Sequence, residues 1–176
     1  MAGIYIHIPF CRQACHYCNF HFVTSLRYKN ELNAALLKEM ELRAEYFEGE
    51  AVETIYFGGG TPSLLETGEV NLLLEKARSL FVISQGAEIT IEANPDDIAE
   101  EKLIGWKEAG VNRLSIGVQS FFEEDLQWMN RAHRASQSVS SVQSAVRHFD
   151  NITIDLIYGT PLLTHDQNGC RTESTE

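Results

Sequence analysis

Apolar residues along this chain fall into two alternating rhythms. Short β-type runs at 4–8, 52–57, 88–92, 113–118 and 152–157 have the length and composition of strands. Between them, apolar positions recur every three or four residues, as on one face of a helix. Leu32, Leu36, Met40, Ala44 and Phe47 predict a first helix, and Val70, Leu73, Leu74, Ala77, Leu80 and Phe81 a second. A third is expected behind Asp96 or Asp97 as N-cap, ending at Gly110 after Trp106 and Ala109. A fourth opens at Ser120 with Glu123 three residues on, the spacing of a capping box. The fifth runs from about Ser136 through Val139, Val142, Ala145 and Val146.

Strand then helix, repeated, predicts parallel strands joined by right-handed crossovers. Two architectures satisfy this: a doubly wound sheet or a TIM-like (β/α) barrel. About five strands are too few to close an eight-stranded barrel. After Leu163 the chain turns polar and loses all periodicity, so residues 164–176 are poor material for a sixth unit.

Composition narrows the partners. The chain has 176 residues, enough for one domain or a piece of a larger protein, with 44% apolar and 22% charged residues, as in folded globular domains. A net charge of −11 repels nucleic acid and anionic membranes, so neither is expected as a main partner. No apolar run reaches the roughly eighteen residues of a membrane span. Residues 1–4 carry no basic leader, so the cytoplasm is the expected compartment.

The cysteines carry the first chemistry. Cys11, Cys15 and Cys18 fall within eight residues, and Cys170 lies in the tail. Three clustered thiols in a reducing compartment point to metal or cluster ligation rather than a disulfide framework. A helix face is the plain alternative, since these spacings also share one side of a helix. Pro9 just before the run, and Arg12, Gln13, His16, Tyr17 and Asn19, which leave no apolar stripe beside the sulfurs, weigh against that. A zinc site using the three thiolates with His16 or His21 is chemically open as well.

Each strand ends in polar chemistry. The first leads into the cysteine loop, the second into Gly58, Gly59, Gly60, Thr61 and Pro62, the third into Glu92 and Asn94, the fourth into Gln119 and Ser120. The fifth carries Asp155 inside an apolar run. In parallel α/β folds the ligand crevice lies at these carboxyl ends, so the features are expected around one mouth. Consecutive glycines let backbone amides approach a ligand, although a tight turn would use them too. Glu92 and Asp155 read as ligand contacts or as satisfied structural carboxylates. Tyr5 and His7 share a strand face that could equally pack in a core. Arg131, in its local context, reads as a solvated surface residue.

The run from Cys11 to Cys18, with Tyr17 before the last cysteine, resembles the three-cysteine motif of the radical S-adenosylmethionine superfamily. The segments 5–11, 56–62, 92–95, 113–120 and 154–159 resemble the oxygen-independent coproporphyrinogen III oxidase family, in its HemW-type heme chaperone branch. The resemblance implies a partial TIM-like barrel of the radical SAM type and a [4Fe-4S] cluster on Cys11, Cys15 and Cys18. The cluster's open iron would chelate S-adenosylmethionine. Tyr5 and Tyr17 are then expected beside the cofactor, with Gly59, Gly60 and Thr61 at its methionine end. Glu92, Gln119, Arg131 and Asp155 match positions contacting its amino-acid or nucleoside portions, which sets Arg131 against its surface reading.

In that family the true oxidases carry a further cysteine two residues after the third ligand, where this chain has Phe20. Phe20 therefore favours the branch that binds heme as cargo and passes it to acceptor proteins, with an electron donor wherever the cluster is reduced. The resemblance implies a partial core domain over 1–163 and a tail over 164–176 that departs from the family pattern. The family's C-terminal domain and heme-binding determinants are expected beyond residue 176, so the chain reads as a truncated or frameshifted member.

Overall fold

The computed structural model describes residues 2–161; the tail and Cys170 lie outside them. Five parallel strands, β1 (Ala2–Ile8), β2 (Val52–Gly59), β3 (Ile83–Ala93), β4 (Arg113–Gln119) and β5 (Ile152–Leu156), form one sheet in the order β1-β2-β3-β4-β5. The helices α1 (Lys29–Leu42), α2 (Thr67–Leu80), α3 (Glu100–Ala109), α4 (Glu123–Trp128) and α5 (Ala135–His148) lie between them. A doubly wound sheet must reverse its strand order at a switch point. This order never reverses, and right-handed crossovers then put every helix on one face. The fold is therefore a partial TIM-like barrel, five strands of a wall with helices outside.

Strand periodicity sorts the chemistry. Ile6, Phe57, Ile91 and Leu114 stand in register across four strands and are buried against the helices, with Ile4, Ile55 and Ile89 forming the next row. Alternate residues face the other way, so Tyr5, Tyr56 and Thr90 form one row on the concave face and Glu92 and Ser115 another. Trp106 and Leu103 of α3 and Leu73, Leu74 and Ala77 of α2 complete the core.

Several boundaries differ from the sequence reading. The first helix ends at Leu42, and Ala44 and Phe47 follow in turns; Phe47 still packs edge-on against Phe81, 5.2 Å between ring centroids. The third strand begins earlier, at Ile83. Neither Asp96 nor Asp97 caps α3, whose N-cap is Ala99; both lie in a 3-10 turn, Pro95–Asp97. The capping box at Ser120 does not form, because the Ser120 hydroxyl donates to buried Asp125 and accepts from the Phe122 amide. Glu123 instead accepts the Ala135 amide at the start of α5, 2.9 Å away. On α5 the buried residues are Ser138, Ser141 and Ala145, while Val139 and Val146 are exposed.

Candidate functional site

Strand β1 delivers the chain to a loop closed at its neck. The Cys11 amide donates to Val23 O (3.0 Å) and the Val23 amide to Pro9 O (2.9 Å), with Phe10 buried below. Residues 11–18 form turns without helical backbone, which removes the helix-face alternative. A second seam holds the loop's middle to the turn after α4. There the His16 amide donates to Met129 O (3.1 Å), Gln13 Nε2 to Asn130 O (2.6 Å) and Asn130 Nδ2 to Ala14 O (2.8 Å). All three thiols of the loop are free and half-buried.

Arg131 is not a solvated surface residue. Its Nη2 donates to Asn94 Oδ1 (2.7 Å) and Gly117 O (2.8 Å), and its Nη1 to Tyr17 Oη (3.2 Å) and Cys15 Sγ (3.5 Å). Local context misled because the left-handed turn at Asn130 (φ 54°) swings the next side chain inward. Burial pushes the Tyr17 phenol up to about 12, against the lowering influence of Arg131. Burial likewise raises the Cys11 thiol, with the Thr61 hydroxyl, which donates to its sulfur at 3.5 Å, pulling the other way.

The strap after β2 lies directly beneath the loop. The Gly60 amide donates to Ile8 O (2.7 Å), and a Cβ on Gly60 would sit 2.7 Å from Phe10 O and 3.0 Å from Cys11 Sγ. Gly59 adopts φ 116°, which disfavours any side chain, and its amide donates to Glu92 (3.1 Å). These glycines thus serve the close approach of backbone to the cysteine loop, more than a simple turn requires.

The remaining candidates line the same open cavity of about 370 Å³. Glu92 also accepts from Tyr56 Oη (2.8 Å); its burial raises its carboxyl, opposed by these two donors and reinforced by Asp155. Tyr5 and His7 do not pack in a core: both are exposed on the concave face, 3.2 Å apart, because no further layer covers it among the described residues. Asp155 lies at the rim and is exposed, so its apolar strand does not bury it. Gln119 lines the cavity in a left-handed conformation (φ 66°) where β4 breaks register with β5, and its carbonyl accepts the Ile157 amide (2.9 Å). Such strain in a non-glycine residue is retained at ligand sites.

Asn94, expected at the mouth but not among the cofactor contacts, joins Arg131 to Thr61 through its Oδ1 and Nδ2. Its position immediately after β3, in the turn that precedes Pro95, was the available signal. Among the described residues no three His, Cys, Asp or Glu side chains converge on a single metal ion. In a [4Fe-4S] cluster each thiolate binds a different iron, so its ligands need not meet at one point. Arg131 also brings its positive charge to the cavity wall, as an anionic ligand requires. The donor set and the glycine strap fit a three-thiolate cluster with a carboxylate-bearing ligand beside it.

Comparison with known proteins gives a consistent picture. The sequence matches the Radical SAM superfamily over residues 5–168. It is 38% identical over 165 residues to the heme chaperone HemW of Escherichia coli (strain K12), covering 90% of this chain and 43% of that protein. Against the heme chaperone HemW of Bacillus subtilis (strain 168) the identity is 40% over 165 residues, covering 92% and 43%. Among solved structures, coproporphyrinogen III oxidase (HemN) from Escherichia coli, described as a radical SAM enzyme, superposes with a TM-score of 0.85 at 34% identity. That match covers 93% of this chain and 38% of the other. The chain thus spans less than half the length of the relatives it matches.

Proposed function

The chain belongs to the Radical SAM superfamily, and from that premise we propose that it is the cofactor-binding core of a heme chaperone. The observation that carries the reading is the convergence of three free thiols, Arg131, Thr61 and Glu92 on one open mouth. Cys11, Cys15 and Cys18 hold a [4Fe-4S] cluster, which when bound supplies one electron and an open iron able to chelate S-adenosylmethionine. Thr61 and Arg131 keep donors against two of the sulfurs and favour their thiolate charge. Arg131, held by Asn94 and Gly117, also sets its positive charge at the cavity wall for the carboxylate of S-adenosylmethionine. Gly59 and Gly60 keep the strap low beneath the methionine end, and Tyr5 and Tyr17 flank it. Glu92, Gln119 and Asp155 at the rim contact the amino-acid and nucleoside portions. Heme is the cargo and acceptor proteins its destination, with an electron donor wherever the cluster is reduced. Among the described residues no helix is long and apolar enough to cross a membrane; a reducing compartment such as the cytoplasm suits free thiols.

A second reading, an oxygen-independent porphyrinogen oxidase, is favoured by the superposition on HemN. Phe20, 79% exposed where that family's oxidases place a further cysteine, opposes it.

Anaerobic reconstitution with iron and sulfide, followed by heme titration, tests the proposal beside a full-length relative. A cubane-type spectrum in this chain, with heme bound and released to an apo-acceptor only by the full-length relative, supports it. A chain that loads no cluster overturns it, and one that loads a cluster and consumes coproporphyrinogen without holding heme supports the oxidase.

A further inference from the structure

Beyond the ligands, one pair of side chains ties the cysteine loop to the sheet. Arg12, adjacent to Cys11, donates from Nε (3.0 Å) and Nη2 (2.5 Å) to Oδ1 of Asp97 in the turn after β3. The Asp97 side chain is fully buried, whereas Arg12 is about half exposed. The other carboxylate oxygen accepts from the buried Ser63 hydroxyl (2.8 Å), and Ser63 in turn accepts the Asn94 amide (3.2 Å). Asp96 adds a second carboxylate 3.4 Å from Arg12 Nε.

A fully buried carboxylate is costly unless a cation and hydrogen bonds compensate it. Here the cation comes from the cysteine loop itself, 85 residues away in sequence. The loop is thereby held at both shoulders, Arg12 on the β3 side and residues 13–16 on the turn after α4. Neither contact uses a thiol, so both leave the sulfurs free for other partners.

We propose that Arg12 and Asp97 form a clasp that fixes the cysteine loop for cluster binding, which makes Arg12 a positioning residue for the three thiolates. This rests on the proposed cluster site. Arg12 is not a ligand, so the clasp governs how firmly the cluster is held and how its charge is balanced, rather than whether it assembles.

The test compares reconstituted wild type, Arg12→Ala, Arg12→Lys and, as a surface ion-pair control, Arg43→Ala. Cluster loss to an iron chelator is followed by absorbance, and the reduced cluster by potentiometry and electron paramagnetic resonance. Arg12→Ala is expected to load the cluster and lose it on the order of tenfold faster, with a more negative midpoint potential. Arg12→Lys, which keeps the charge but not the two-point grip, should recover the potential and only part of the retention. Arg43→Ala should match wild type. Melting of the apo-proteins separates a folding defect from a loop effect, and Arg12→Ala should melt as a single folded species. Loss rate and potential unchanged in Arg12→Ala would overturn the clasp, as would an equal change in Arg43→Ala. Failure of wild type to load any cluster would sink the reading of the site instead.

Discussion

At the scale of single residues, the site separates groups that ligate from groups that orient. Serine in place of Cys11, Cys15 or Cys18 should abolish the brown cluster and its iron, because thiolate is the ligand form. Cys170→Ser should leave iron content unchanged, and cluster loss in that variant would refute the assignment. Asp155 lies exposed at the rim, so Asp155→Ala should weaken S-adenosylmethionine by about tenfold, the low end for a hydrogen bond to charge, and keep the cluster. Arg131 touches both Cys15 and Tyr17, so Arg131→Ala should weaken S-adenosylmethionine and also alter the cluster spectrum. Calorimetry and absorbance on the same samples check both; a normal spectrum in Arg131→Ala would show that its contact with sulfur is idle. His133 makes a separate prediction. Burial, aided by the Arg131 charge, lowers its imidazole from 6.5 to about 4. Between those values the unfolded chain takes up a proton that the folded chain refuses. Stability should therefore fall as pH drops through this window, by roughly 3 kcal/mol in all, and stay constant above it. Melting from pH 4 to 7 should show a shallower slope in His133→Gln, and equal slopes would exclude the mechanism.

At the scale of elements, the strands were legible because their outer faces are apolar without interruption, and α1 and α2 because their stripes are, whereas α5 buries Ser138 and Ser141 and exposes Val139 and Val146 of its predicted stripe. What the sequence withheld was the partner of each polar group at an element's end. Asp97 and Glu123 looked like caps, yet each bonds a residue on another segment, while Ser120 bonds Asp125 inside the helix it was expected to cap. Capping is a local rule, and a buried carboxylate follows the strongest donor the fold brings to it. The mouth itself was foreseeable from strand direction alone. The inward turn of Arg131 was not, because it depends on one left-handed residue at the end of α4. The glycine strap yields a prediction at this scale. Gly60→Ala puts a methyl against backbone atoms of Phe10 and Pro9 that no rotamer can move. The strap and the cysteine loop must part, at a cost of about 1–3 kcal/mol. Gly68→Ala, where a methyl meets nothing within 4 Å, serves as the control. The melting point and cluster yield should drop together in the first and hold in the second.

At the scale of the whole molecule, the described sheet is a wall open at two edges, β1 and β5. Strand β5 pairs only with β4 among the described residues, leaving its far edge with unpaired amides and carbonyls. Ile154 and Leu156 are exposed on that strand, and Val139 and Val146, two turns apart, are exposed on α5. An open parallel edge flanked by apolar side chains is a template for another chain, and charge is the usual defence. The net charge of −11 opposes association only weakly once physiological salt screens it beyond about 8 Å. The 176-residue chain should therefore self-associate, more so in high salt. Ile154→Lys and Val146→Lys, which charge the exposed end without touching the cysteine loop, should shift it toward monomer while leaving iron content intact. Size-exclusion chromatography with light scattering, across a range of concentration and salt, measures this directly. A wild-type chain that stays monomeric throughout and melts in one sharp step near 55 °C, as ordinary mesophilic domains do, would show that the β5 edge is already covered.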